Sequence, residues 1–118
     1  MKVLLVDDSA TMRRIQKTQI TSLGITDIVE AGDGDDAFKK LKSAMPVDLI
    51  LLDWNMPVMD GLTFLKKIRG IAEYKDVKVI MCTSESEKTR VIEALKSGAN
   101  NYIVKPFTPD ALKEKLGI

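Results

Sequence analysis

Short apolar runs rich in valine, isoleucine and leucine alternate along the chain with segments whose apolar residues recur at helical spacing. The runs are apolar at consecutive positions, which is typical of parallel strands that are buried on both faces. Alternating strands and helices favour an α/β fold, a three-layer doubly wound (βα)5 parallel sheet with helices on both sides. The predicted strands are Val3–Val6, Ile28–Val29, Val47–Leu52, Val77–Met81 and Tyr102–Val104.

The size and charge of the chain narrow its class. At 118 residues, of which 45% are hydrophobic and 30% charged, residues 1–118 are expected to form a single ordinary globular domain. A net charge of +1 disfavours nucleic-acid or membrane binding through bulk electrostatics. The sequence has no apolar run of about 20 residues and no signal-peptide pattern, so we expect a cytoplasmic protein. Cys82, the only cysteine, is expected to be a buried hydrophobe.

The sequence contains no histidine, which removes the usual general base at neutral pH. It also contains no cluster of cysteine and histidine ligands for a metal. Chemistry in this chain is therefore restricted to carboxylates, hydroxyls, lysine and a metal ion held by oxygen ligands.

Polar side chains stand at the ends of four of the five predicted strands. Doubly wound sheets bind ligands outside the carboxyl ends of their strands, so these side chains are expected to share one edge. They are Asp7 and Asp8 after the first strand, Asp53 after the third, Thr83 and Ser84 after the fourth, and Lys105 after the fifth.

Helix capping is the simpler explanation for part of this set, because Asp, Ser and Thr are common at N-cap positions. Asp53 and Lys105 do not fit that explanation. Seven residues separate Asp53 from the next helical pattern, and Lys105 precedes a proline at the end of a buried strand. The capping candidates are Asp8 or Ser9 for the first helix, Thr83 and Ser84 for the fourth, and Thr108 for the fifth.

Three clustered carboxylates repel one another, and Lys105 balances only one of them. Such a site needs a hard cation, and Mg²⁺ is the natural one because it takes oxygen ligands and leaves room for a phosphate group. With the charge balanced in this way, one carboxylate could attack phosphorus and form an aspartyl phosphate.

The chain resembles the receiver domains of two-component response regulators, and among them the single-domain chemotaxis type. The matching stretches are VDDSATMRR, DWNMPVMDG, MCTSE and NNYIVKPFTP, and the resemblance covers essentially the whole chain. It implies a flavodoxin-like sheet with strand order 2-1-3-4-5. It also implies a phosphorylation-activated signalling switch that catalyses its own phosphorylation and dephosphorylation.

The resemblance further implies roles for single residues. Asp53 would be the phosphoacceptor, Lys105 would pair with the phosphoryl group through a strand end with a cis Lys105–Pro106 bond, and Thr83 would hydrogen-bond a phosphoryl oxygen. Mg²⁺ would be bound by Asp7, Asp8, Asp53 and the backbone carbonyl of Asn55. The side chains of Asn55, Ser84 and Glu85 would modulate the lifetime of the phosphoryl group.

Tyr102 would be the switch residue, rotating inward once Thr83 moves, although an ordinary half-buried strand aromatic is the alternative. The rotation would change a face formed by the fourth helix, fifth strand and fifth helix, with Arg90, Tyr102 and Lys115 on it. Trp54, the only tryptophan, is expected to be partly exposed and to serve as a spectroscopic reporter.

The resemblance implies a CheA-like histidine kinase as phosphodonor and a downstream protein, possibly a flagellar motor switch protein, for a monomeric domain that binds neither nucleic acid nor membrane. One rival is a phosphatase of the haloacid-dehalogenase type, which needs an aspartate where Asn55 stands. A flavodoxin-like module is disfavoured because Asp7 and Asp8 would repel a flavin phosphate. A receiver-fold interaction module that is never phosphorylated is the remaining alternative.

Overall fold

The computed structural model describes residues 1–84 and 88–117. Strands and helices alternate throughout, and one 3-10 turn, Ala72–Tyr74, precedes the fourth strand. The strands are β1 Lys2–Val6, β2 Asp27–Ala31, β3 Leu49–Asp53, β4 Lys78–Thr83 and β5 Asn101–Val104. The helices are α1 Ala10–Ser22, α2 Gly34–Ala44, α3 Gly61–Arg69, α4 Lys88–Lys96 and α5 Pro109–Leu116.

All strand pairs are parallel, and the strand order is β2-β1-β3-β4-β5. This confirms the predicted flavodoxin-like α/β sheet. Strands β3 and β4 begin later than predicted, because Val47 and Val77 are buried in connecting loops and lie outside the sheet ladder. Their apolar character reflects burial alone.

The core has two layers, one on each face of the sheet. Along β3, Ile50 and Leu52 belong to one cluster, whereas Leu49 and Leu51 belong to the other. The first cluster includes Phe64, Leu65 and Ile68 of α3, and the second includes Ile20 of α1 and Leu112 of α5. Successive residues of a strand point to opposite faces, so one strand supplies both layers.

Cys82 lies in the buried part of β4 opposite Asp53. Burial raises the pKa of its thiol to about 12, so the thiol stays protonated at neutral pH. The prediction of a buried, unreactive cysteine agrees with this environment.

Side-chain oxygen atoms cap the starts of α1, α2, α3 and α5, each accepting a hydrogen bond from the backbone N–H three residues further along the chain. Ser9 caps α1, so Asp8 has no part in this cap. The capping residues are Ser9, Asp33, Asp60 and Thr108. Within residues 1–84 and 88–117, no helix is both long enough and apolar enough to cross a membrane.

Val58, in the loop between β3 and α3, has a φ of 67° and an 84% exposed side chain. A β-branched residue is strained in this left-handed region, whereas asparagine tolerates it. We expect Val58→Asn to raise the free energy of unfolding by about 1 kcal/mol. Urea denaturation followed by Trp54 fluorescence measures the change. Val58→Thr keeps the β-branch and should leave stability unchanged; equal stability of the two variants would contradict the strain.

Candidate functional site

Three carboxylates meet at the carboxyl edge of the sheet. Asp7 and Asp8 follow β1, Asp53 ends β3, and the pairing of Val6 with Leu52 places these strand ends side by side. One oxygen of each carboxylate lies within 4.8 Å of the others. Asp7 and Asp53 are buried, whereas Asp8 is exposed to solvent. The structure therefore brings the predicted acidic residues together in a cluster whose Asp8 carboxylate faces solvent.

Lys105 reaches into this cluster from the end of β5. Its Nζ lies 2.7 Å from Asp53 Oδ1 and 3.6 Å from Asp7 Oδ2. Its backbone N–H donates to the carbonyl oxygen of Thr83 at 2.6 Å, which fixes the strand end next to β4. The Lys105–Pro106 bond is cis, as the resemblance implied, and Met45–Pro46 is also cis.

The charges of this cluster influence one another. Burial raises the pKa of Asp53 and the neighbouring charge of Asp7 adds to the rise, although hydrogen bonds from Lys105 and the Trp54 backbone lower it. Burial lowers the pKa of Lys105, but its hydrogen bond to Asp53 and the nearby carboxylates outweigh that effect and leave the pKa raised. Lys105 is therefore a cation at neutral pH, and it opposes the rise in the pKa of Asp53 that burial and Asp7 cause.

The acidic cluster fits a hard divalent cation. Asp7 Oδ1 accepts a hydrogen bond from the Ser9 N–H at 2.9 Å. Asp7 Oδ2 is buried and has no hydrogen-bond partner among the described residues, only the more distant charge of Lys105. A buried carboxylate oxygen left in this way is costly unless another group binds it. Oxygen donors in this arrangement are the ligands that Mg²⁺ prefers.

Thr83 ends β4 and is completely buried. Its Oγ1 has no hydrogen-bond partner among residues 1–84 and 88–117. Since Lys105 is joined to its backbone, Thr83 belongs to the same edge as the carboxylates. Its hydroxyl is therefore a buried hydrogen-bonding group at this edge without a partner among the described residues. Ser84, the next residue, is half-buried.

Tyr102 of β5 is half-buried, and its ring packs against the first core cluster. The Nζ of Lys115, on α5, lies 4.5 Å from the centroid of this ring, within cation–π distance. The predicted switch residue and one predicted face residue are therefore in direct contact.

Trp54 is only 5% exposed, so the expectation of a partly exposed ring was wrong. The loop after β3 folds back, with the Gly61 N–H donating to the Trp54 carbonyl oxygen at 2.8 Å, and the ring packs into the first core cluster. The guanidinium carbon of Arg90 lies 5.6 Å from the ring centroid.

Arg90 also donates a hydrogen bond from Nη1 to Asn55 Oδ1, at 3.3 Å. Asn55 itself is exposed at the rim of the carboxylate pocket. Sequence reasoning missed the contact of Arg90 with Asn55 in the β3–α3 loop, because 35 residues separate the two and no local pattern joins them. Glu85, the third predicted modulating residue, lies outside the described residues.

Comparisons with known proteins place this site in a family. The chain matches the response regulator receiver domain family over residues 3–117. It is 51% identical over 118 residues to chemotaxis protein CheY1 of Helicobacter pylori, covering 100% of this chain and 95% of that protein. It is 53% identical over 116 residues to the CheY homologue of Campylobacter jejuni, covering 98% and 89%.

Among solved structures, chemotaxis protein CheY4 of Vibrio cholerae superimposes with a TM-score of 0.88 at 36% sequence identity, covering 98% of this chain and 95% of that one. The sequence matches and the structural superposition agree with each other. The chain belongs to the response regulator receiver domain family.

Proposed function

We propose that this receiver domain is a phosphorylation-activated switch of chemotaxis-type two-component signalling, with Asp53 as the phosphoacceptor. The observation that carries the proposal is the clustering of Asp53 with Asp7 and Asp8, and the Lys105 ammonium 2.7 Å from Asp53 and 3.6 Å from Asp7. The names of the relatives, which are chemotaxis proteins, support the kind of system.

In the proposed reaction a carboxylate oxygen of Asp53 attacks the phosphorus of a phosphohistidine. The new O–P bond forms as the P–N bond breaks, and the leaving imidazole keeps the electron pair and takes up a proton. Lys105 supplies positive charge to the phosphoryl oxygens, and the buried hydroxyl of Thr83 supplies a hydrogen-bond donor. Bound Mg²⁺, held by Asp7, Asp8, Asp53 and the Asn55 carbonyl, would neutralise charge that develops on the phosphoryl group.

We also propose that the domain catalyses its own phosphorylation and dephosphorylation. Attack by water on the aspartyl phosphate would release inorganic phosphate and restore the Asp53 carboxylate. Asn55 is exposed two residues after Asp53 and Ser84 follows Thr83, which supports the proposal that both influence how water reaches phosphorus. Glu85 is proposed for the same role on the resemblance alone.

The signal would leave the site through Thr83 and Tyr102. A hydroxyl that turns toward the phosphoryl group vacates space that the Tyr102 ring could fill, and Lys115 would then lose its cation–π contact. The surface of α4, β5 and α5 would change, with Arg90, Tyr102 and Lys115 as its proposed partner residues.

For partners we propose a CheA-like histidine kinase as donor and a downstream protein such as a flagellar motor switch protein, with the domain acting as a cytoplasmic monomer. The phosphatase rival is disfavoured, because Asn55 stands where that mechanism needs an acid and has no proton to give. A receiver fold that never meets phosphate is disfavoured, because the acids and Lys105 are all retained in one cluster.

The test uses Mg²⁺ and acetyl phosphate, a small phosphodonor, with Trp54 fluorescence as the readout. We expect the unmodified domain to respond to Mg²⁺ and then, further, to the donor. Asp53→Asn should lose the second response completely, because an amide cannot form the acyl phosphate. Asp35→Asn, which removes an exposed carboxylate on α2, should behave like the unmodified domain.

An unchanged donor response in Asp53→Asn would contradict the assignment of the acceptor. Steady release of phosphate from many monoesters would instead favour the phosphatase.

A further inference from the structure

Arg90 contacts the loop that directly follows Asp53, whereas the resemblance assigns it to the partner face. It is exposed and projects from the first half of α4. Its guanidinium contacts two consecutive residues, stacking on Trp54 and donating to Asn55 Oδ1. Trp54 directly follows Asp53 and donates its backbone N–H to Asp53 Oδ1 at 2.9 Å. The guanidinium therefore contacts the residue that directly follows the proposed acceptor in the chain.

The contacts of Arg90 hold its charge in place. Stacking on the buried Trp54 ring limits the side-chain orientations, and the hydrogen bond to Asn55 restricts them further. A guanidinium carries several N–H groups in a planar fork, and within residues 1–84 and 88–117 the bond to Asn55 uses one of them. The remaining fork suits the oxygen atoms of a phosphate or carboxylate.

The charge at this edge of the sheet explains why a fixed cation would help an anionic phosphodonor to approach. Three carboxylates and one ammonium leave the cluster acidic, and bound Mg²⁺ would only balance that charge, so the cluster itself offers no net attraction to an anionic phosphodonor. A cation fixed at the entrance raises the local concentration of anions and speeds their association.

We infer that Arg90 is a specificity-determining residue that recruits small dianionic phosphodonors of the acyl phosphate class to Asp53. The inference rests on the proposed function, and it concerns the choice of donor. The step is the same phosphoryl transfer: the O–P bond to Asp53 forms, the bond from phosphorus to the acyl oxygen breaks, and the carboxylate leaves with the electron pair. In this step Arg90 neither takes nor gives a proton. Of the two reacting groups, it would contact the donor and not Asp53.

The experiment compares two donors that differ in charge, acetyl phosphate as a dianion and phosphoramidate as a monoanion, at saturating Mg²⁺. Arg90→Met keeps the length of the side chain and removes the charge. We expect its second-order rate constant to fall about threefold to tenfold with acetyl phosphate and clearly less with phosphoramidate. Arg90→Lys should retain most of the preference for acetyl phosphate.

Screening provides a second measurement. The deficit of Arg90→Met with acetyl phosphate should shrink at about 0.5 M salt, because exposed charges are then strongly screened. Rate constants come from the time course of Trp54 fluorescence. A rate constant obtained in this way does not depend on the starting intensity of the fluorescence, which the substitution could change. Phosphate-affinity electrophoresis gives an independent measure of the phosphorylated fraction.

Lys96→Met is the matched control. It removes the same charge from the other end of α4, about 9 Å along the helix from Arg90. We expect it to leave both rate constants unchanged.

The inference would be overturned if Arg90→Met lowered the rate constant equally with both donors, or if its deficit did not change with salt concentration. Either result would indicate a packing role for Arg90. In either case a donor response that depends on Asp53 would leave the proposed function intact. Absence of that response in the unmodified domain would overturn both proposals together.

Discussion

Lys105→Met should slow phosphorylation by acetyl phosphate about 100- to 1000-fold, the loss typical of removing one charge-stabilising donor from an active site. The Nζ of Lys105 is 2.7 Å from Asp53 Oδ1 and is the closest described cation to that carboxylate. Methionine keeps the length of the side chain without the charge, so the loss reflects missing charge stabilisation rather than a missing side chain.

The same variant should bind Mg²⁺ more tightly, by about tenfold, because Lys105 and the metal neutralise the same carboxylates. A lower rate combined with a higher metal affinity separates this mechanism from general damage to the site, which would lower both. Titration of Mg²⁺ against Trp54 fluorescence gives the affinity, and the donor time course gives the rate.

Lys66→Met is the control, because Lys66 is an exposed lysine near the end of α3. It should change neither quantity. A Lys105→Met protein with weaker Mg²⁺ binding would contradict the view that the lysine and the metal compete for Asp7 and Asp53.

Gly61→Ala should lower the free energy of unfolding by about 3 kcal/mol or more, toward the upper end of overpacking effects. A Cβ at Gly61 would lie 2.2 Å from the carbonyl oxygen of Asp53 and 3.2 Å from the Trp54 Cα. These are backbone atoms at the end of a central strand, and they cannot move aside without disturbing the sheet. The Gly61 N–H also donates to the Trp54 carbonyl oxygen at 2.8 Å, so the first residue of α3 is held against this strand end.

The same substitution should weaken the response to Mg²⁺, because a displaced Asp53 backbone moves the carboxylate out of the cluster. Urea denaturation measures the stability, and the Mg²⁺ titration measures the site. Gly70→Ala is the matched control, since its Cβ would come no closer than 3.5 Å to the Lys67 carbonyl oxygen. We expect it to be neutral or slightly stabilising, because alanine favours helices more than glycine does. A Gly61→Ala protein as stable as Gly70→Ala would contradict the close-approach argument.

The fold and the acidic edge could both be predicted from the sequence. Consecutive apolar residues such as Leu49–Leu52 indicate a strand that is buried on both faces, and regular alternation with helices indicates a parallel sheet. Once the strands are parallel, residues that follow them, such as Asp53 and Lys105, must lie at one edge. The prediction succeeds because it depends on periodicity and connection rules, which are local properties of the chain.

Predictions that depended on long-range packing fared less well. Trp54 reads as a loop residue, and its burial depends on a loop that folds back to Gly61. The role of Arg90 depends on how α4 approaches the β3–α3 loop, and nothing near residue 90 in the sequence encodes that approach. The predicted starts of β3 and β4, at Val47 and Val77, were wrong. Hydrophobicity indicates that a residue is buried, but it does not indicate whether the residue pairs with a neighbouring strand.

By itself, the sequence determined the class of fold, the edge where the carboxylates collect and the oxygen-based chemistry to which a chain without histidine is limited. Tertiary structure alone decided which atoms meet: Lys105 Nζ against Asp53 Oδ1, the buried Thr83 hydroxyl without a described partner, and Arg90 across Trp54. The physical reason is the distance along the chain over which each effect acts. Periodicity acts over a few residues, whereas these contacts join side chains brought together only when separate strands and helices pack in three dimensions.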